Sequence, residues 1–186
     1  MKTKANLLLR WIVQLEKKSW VDLLHVVLGS LFIALLSSAE IPLTPVPITL
    51  QTFAIFVLAL FQGGSKAALS LLMYLAEATL GLPVFGGPSS DPFWILCPSA
   101  GYCLAFPLAA YLTGKISELR SPFPFVRMLI GCFCGQAVVY LLGVTWLSFY
   151  IGLSQALILG LYPFIMFDGI KLLTAVAIRF AVLKMK

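Results

Sequence analysis

The apolar stretch YPFIMFDGIKLLTAVAIRF, residues 162 to 180, is interrupted by an acid and a base, Asp168 and Lys171. Three positions apart on a helix, the two side chains share a face and can reach each other. An acid beside a base in apolar sequence has two uses. It can neutralise itself, or it can read a ligand, the carboxylate accepting from N–H groups and the ammonium donating to a carboxylate. In lipid each charge costs on the order of 2.5 to 3.5 kcal/mol to insert, so such a pair marks a functional site by default. Where the apolar pattern breaks elsewhere, Gln51, Ser99 and Tyr102 offer neutral hydrogen-bonding groups and Phe85, Phe93 and Trp94 offer aromatic walls. Together these types suit a small ligand with an apolar body, a hydrogen-bonding head and a carboxylate tail. Glu77 is a further acid in apolar sequence, placed to bond the ligand, to pair with Lys171 or to face lipid headgroups.

Catalytic groupings are scarce by comparison. The single histidine, His25, assembles no Ser/His/Asp set or carboxylate cluster, and the chain holds no G-x-x-x-x-G-K-[ST] phosphate loop. We therefore read no enzyme, no catalytic residues, no metal site and no cofactor, with any energy drawn from a partner or a gradient. Cys97, Cys103, Cys132 and Cys134 have neither metal-ligand spacing with histidines nor the pattern of a disulfide framework, and read as packing residues.

The elements that must position the pair are membrane helices. Of 186 residues 61% are hydrophobic and 11% charged, with a mean hydropathy of +1.01, against about 25% charged in a soluble domain. The net charge of +6 therefore speaks for helix-end anchors and lipid contact, not for nucleic acid. Crossing a hydrocarbon core takes roughly 20 apolar residues. Six runs come near that length: Val21 to Ile41, Ile48 to Phe61, Ala67 to Leu82, Pro98 to Ile116, Phe125 to Trp146 and Pro163 to Leu183. The fold class expected is an all-α integral membrane protein of six transmembrane helices. The stretch from Leu147 to Tyr162, broken by Gly152 and Gly160, is expected to be an interfacial or partly buried connector. Six spans with both termini cytoplasmic place every base except Lys171 on the inner side, which satisfies the positive-inside rule.

Residues 1–20 contain ANLLLRWIVQLEKK, which reads as an amphipathic cytoplasmic surface helix with no signal-peptide cleavage pattern, ahead of a membrane domain at 21–186. Prolines at 47, 98 and 163 are expected to open three helices at the outer face, turning their positive dipole ends and unpaired N–H groups toward one cavity. From the start of Pro163, Asp168 lies about 8 Å and Lys171 about 12 Å down the last helix at 1.5 Å per residue. On the first helix Ser30, Ala34 and Ser38 recur every four positions, a small-residue stripe that lets a partner helix approach closely.

The runs IPLTPVPITLQTF, GLPVFGG, PSAGYCLAF, YLLGVTWL and PFIMFDGIK, in that order between about residue 30 and residue 180, resemble the BioY family, the biotin-specific S components of energy-coupling factor (ECF) transporters. The resemblance implies a multi-pass protein of the cell (inner, cytoplasmic) membrane with an outward-facing biotin pocket. It implies partners in the transmembrane coupling subunit and the ATPase subunits of an ECF module, with the stripe on the first helix as the docking face. Asp168 matches the family's acid at the biotin ureido ring and Lys171 its base at the valerate carboxylate. Glu77 departs from the family, where an apolar residue is usual. Two other readings stand beside this one: a carrier for another small acid such as lipoate, and a non-transport membrane enzyme or scaffold.

Overall fold

In hydrocarbon every backbone N–H and C=O must be satisfied within its own segment, so apolar runs of this length become helices. The computed structural model describes the backbone of residues 2–85 and 92–185, and the side chains of those residues from Ser19 onward. Its elements are α1 (Lys2–Ser37), a hairpin of β1 (Glu40–Ile41) and β2 (Ile48–Thr49), α2 (Gln51–Gln62), α3 (Gly64–Thr79), a 3-10 turn at Trp94–Leu96, α4 (Ala100–Glu118), α5 (Pro124–Ile151), α6 (Leu153–Gly160) and α7 (Tyr162–Lys184). The helices other than α6 fall on the six expected runs; α5 continues through Ile151 into the stretch expected as a connector, and α6 takes up the rest of it. Residues 2–18 are helical and continuous with the first span, while the side chains that would make them amphipathic lie outside the described residues.

Among the described residues, three segments are long and apolar enough to cross a bilayer unaided: Ser19–Ser37, Pro124–Ile151 and Leu153–Lys184. The apolar α2 has only 12 residues, which at 1.5 Å each come to about 18 Å against a core of about 30 Å. It is short because the chain before it is not helical. The first span ends at Ser37, not at Ile41, and the second starts at Gln51, not at Ile48. Pro42, Pro45 and Pro47 lack N–H donors, and the residue ahead of each is pushed toward extended backbone. Residues 40–49 accordingly fold back as a two-stranded hairpin with Glu40 opposite Thr49 and Ile41 opposite Ile48. Pro47 therefore precedes a strand, Pro98 lies two residues ahead of α4, and only Pro163 opens a helix directly. Irregular backbone at membrane depth is tolerated where it lines a cavity, and the hairpin does so.

Two glycines in the left-handed region set the tightest corners. Gly63 (φ 83°) lets α3 follow α2 after one residue, and Gly152 (φ 79°) ends α5 and turns the chain into α6. The most extensive packing is α4 on α5, followed by α4 on α3 and α1 on α3. Small buried residues, Ala109 on α4 and Gly131 and Gly135 on α5, let α4 and α5 approach closely, as expected where lipid supplies no hydrophobic drive between helices and fit decides.

Candidate ligand-binding site

A cavity enclosing, with its mouth, about 730 Å³ lies among α2, α4, α5, α7, the hairpin and the segment leading into α4. That size suits a small organic ligand. The N-terminal halves of three helices supply much of its wall: Gln51 and Thr52 from α2, Tyr102 and Cys103 from α4, Phe164, Asp168 and Lys171 from α7. Tyr140 and Val139 reach it from the middle of α5. The basic residues Lys66, Lys115, Arg127, Arg179 and Lys184 stand at the opposite ends of their helices.

Asp168 and Lys171 meet as their spacing predicts, Nζ to Oδ1 at 2.8 Å, with side chains 3% and 11% exposed. Their surroundings make the pair affordable in an apolar setting. Asp168 Oδ1 also accepts from the Thr52 hydroxyl at 2.9 Å, while Oδ2 accepts from the Gln136 amide and the Tyr140 hydroxyl, each at 2.9 Å. All lone-pair directions of the carboxylate are thus addressed by donors from three helices, so its acceptor capacity is filled within the protein. Lys171 is equally committed: besides Asp168 its ammonium donates to the Thr49 carbonyl at 2.7 Å and to Thr52 Oγ1 at 3.1 Å. A ligand that enters this network does so by exchanging partners with it. The Gln136 Oε1 atom alone in the group is buried with no partner.

Of the other residues singled out from sequence, Gln51, Phe85, Ser99 and Tyr102 line the cavity. Gln51 donates to the Tyr74 hydroxyl at 2.7 Å and accepts from Thr49 Oγ1 at 3.0 Å, so its amide is held in one orientation. Phe85 stands edge-on between Tyr74 and Trp94, with ring centroids 5.2 and 5.4 Å apart. Tyr102 spends its hydroxyl on the Gly160 carbonyl at 2.8 Å and faces Phe164 in a stack at 6.3 Å, presenting its ring to the cavity. Trp94 is buried in the wall, whereas Phe93 is exposed and off it.

Glu77 stands away from the cavity lining. It is half-buried between α3 and α1, where the fully buried Ser30 hydroxyl donates to its Oε2. One contact thus relates two features that the sequence presents separately, the unexpected acid and the first member of the small-residue stripe. Ser30 faces inward onto α3, Ala34 is half-buried against the core, and only Ser38 is exposed. The stripe does not lie on one outward face, because α1 turns it toward α3 at its Ser30 end.

Sequence reasoning missed Thr49, Thr52, Gln136, Tyr140 and Glu40. The clearest available signal was Gln136 and Tyr140, two polar side chains one turn apart on the otherwise apolar face of α5. Thr52 carried no signal, since threonine in a membrane helix usually bonds its own backbone.

A family model described as the BioY family matches residues 5–186. A probable biotin transporter BioY from Pyrococcus horikoshii is 38% identical over 157 residues, spanning 83% of this chain and 93% of that protein. A biotin transporter BioY from Thermotoga maritima is 34% identical over 148 residues, 79% of this chain and 86% of its own. Among solved structures, the crystal structure of the S-component for biotin from an ECF-type ABC transporter superposes with a TM-score of 0.78 at 30% identity, covering 90% of this chain and 93% of that one.

Proposed function

The chain belongs to the BioY family, and from that premise we propose that it takes up biotin as the membrane-embedded, substrate-binding S component of an ECF transporter. The observation that carries the reading is the Asp168–Lys171 network at the polar wall of an otherwise aromatic and aliphatic cavity. Biotin matches that division of labour, with N–H donors on its ureido ring, an apolar thiophane and chain, and one carboxylate.

The ureido ring and the carboxylate lie at opposite ends of biotin, while the acid and base are in contact at 2.8 Å. Binding therefore separates them. A ureido N–H takes the Asp168 Oδ1 position that Lys171 leaves, and the flexible lysine swings to the ligand carboxylate, so each charge trades one charge-assisted bond for another. Thr52, Gln136 and Tyr140 stay on Asp168 and hold its carboxylate in place throughout. Gln51, Phe85, Ser99 and Tyr102 frame the ligand; Glu77, held in the α1–α3 seam by Ser30, takes no part in contacting it. Lipoate shares the carboxylate but has no N–H to offer Asp168, and would leave that acceptor unmatched.

In this reading the cavity opens outward, both termini are cytoplasmic and the protein sits in the cell membrane. That orientation puts the basic helix ends inside. A coupling subunit and ATPases supply the energy, and the remainder of the α1 stripe, the half-buried Ala34 and the exposed Ser38, contributes to docking. The test is whether protein purified from biotin-containing cells carries stoichiometric biotin, and whether the emptied protein takes it up in a titration that excess lipoate does not reverse. Protein that arrives empty and does not bind added biotin would overturn the proposal.

A further inference from the structure

The cavity wall carries a charged group that the ligand network does not use. Besides Asp168 and Lys171, Glu40 is the only charged residue among the described residues lining the cavity. Its carboxylate makes no hydrogen bond or ion pair among them. Its place is fixed by the hairpin. Glu40 lies opposite Thr49 in the antiparallel pair, and the Leu50 N–H donates to the Ala39 carbonyl at 3.1 Å in the neighbouring register position. Glu40 and Thr49 are therefore a non-hydrogen-bonded pair, the kind whose side chains stand closest on one face. On the other edge of β2, the Thr49 carbonyl accepts from Lys171 at 2.7 Å. Glu40 thus sits one strand spacing, about 4.8 Å, beyond the residue that anchors the lysine.

Charge arithmetic follows. Asp168 and Lys171 cancel, so the described lining carries a net charge of −1 from Glu40. Resting on the biotin reading above, we infer that Glu40 is a charge selector at the tail end of the site: it opposes negative charge on the ligand tail and favours biotin amides whose tail bears an amine. The carboxylate of free biotin is held by Lys171 against this repulsion, which keeps the anionic ligand from being bound too tightly to leave. A conjugate in which the carboxyl group is amidated to a short amine-bearing chain would place its ammonium beside Glu40 instead. Such a conjugate is a second ligand class for this cavity.

The test is calorimetric titration of wild type, Glu40→Gln and Glu40→Ala with three probes: biotin, biotin amide and N-(2-aminoethyl)biotinamide. The inference expects both variants to tighten binding of biotin by about tenfold, to leave the neutral amide within about twofold, and to weaken the ammonium-bearing amide by about tenfold, as one charge at such a distance in a partly solvated site should. The dependence on ligand charge is what a merely structural role would not produce. Equal shifts for all three probes, or no shift, would overturn the inference while leaving biotin binding intact. So would loss of folding in both variants, which would make Glu40 a structural residue. A wild type that binds none of the three would instead sink the biotin reading, and the inference with it.

Discussion

Two acids lie inside apolar helices, and the fold treats them oppositely. Asp168 is 3% exposed on α7 and gathers four donors from Lys171, Thr52, Gln136 and Tyr140 at 2.8 to 2.9 Å. Glu77 is half-buried on α3 and, among the described residues, receives one donor, the Ser30 hydroxyl, away from the lining of the ligand cavity. The difference teaches that an intramembrane acid is a binding group when the donors around it outnumber what neutralising it requires and when they open onto space. Asp168 has a cation of its own and three further donors brought from other helices. Glu77 has a partner sufficient to seat it against α1 and nothing to exchange with a ligand.

The contrast is broken most forcefully at its richer end. Asp168→Ala leaves Lys171 as an uncompensated charge in a buried network, a change worth about 3 to 5 kcal/mol. We expect a large loss of thermal stability in detergent and no measurable biotin binding. Asp168→Asn keeps the shape and loses only the charge-assisted bonds, at roughly 1.5 to 3 kcal/mol, or about 10- to 150-fold in affinity. Normal binding by either variant would show that the network is structural. Lys171→Ala should fall in the same range for biotin yet bind biotin amide nearly as wild type does, because the amide has no charge to compensate. Equal penalties on acid and amide would remove Lys171 from the ligand carboxylate. Since the two residues touch, the double variant belongs in a cycle with the singles.

A smaller effect tests the donors that came from other helices. Gln136→Leu and Tyr140→Phe each delete one donor to Asp168 Oδ2 without touching the pair itself. Each bond is worth roughly 1.5 to 3 kcal/mol when its acceptor is charged, but the remaining three donors share the load, so we expect about fivefold to tenfold weaker biotin binding per substitution. Gln136→Leu also removes the unpartnered Oε1 atom, so its stability loss should be the smaller of the two. Unchanged affinity in both variants would mean that Asp168 needs only Lys171 and Thr52.

How far the sequence reveals this depends on which interactions are local. The six runs, the α6 connector and the contact between Asp168 and Lys171 were legible because helix periodicity and an i,i+3 spacing are properties of one segment. Gln51, Phe85, Ser99 and Tyr102 were legible as breaks in the apolar pattern, and all four line the cavity. The hairpin was not, because Ile48 and Thr49 are as compatible with an apolar helix as with a strand, and Pro47 directly ahead of them reads as a helix start. Thr52, Gln136 and Tyr140 escaped for another reason. Their role is a convergence on one carboxylate from 28 to 116 positions away, and nothing within a single helix encodes that convergence. The same applies to Ser30 and Glu77, 47 positions apart.

The poorer end of the comparison supplies the smallest expected effect on binding and the sharpest test of the contrast. In the α1–α3 seam Ser30 is wholly buried and its hydroxyl is spent on Glu77. Removing one partner leaves the other unsatisfied. Glu77→Leu strands a buried hydroxyl, at about 1 to 3 kcal/mol, and Ser30→Ala strands a half-buried carboxylate, at the upper end of that range or beyond it. Replacing both by apolar groups removes the polar requirement altogether, so the double variant Ser30→Ala with Glu77→Leu should melt above either single variant. Biotin affinity should stay within about twofold of wild type in all three, since none of them alters a group in the Asp168 network. The checks are melting temperature and calorimetric titration on the same preparations. A Glu77→Leu variant that loses biotin as severely as Lys171→Ala, with its fold intact, would place Glu77 in the binding site and erase the distinction between the two acids. A double variant that melts below both singles would show that the pair does more than satisfy itself, and that α1 depends on a charge at this depth to stay against α3.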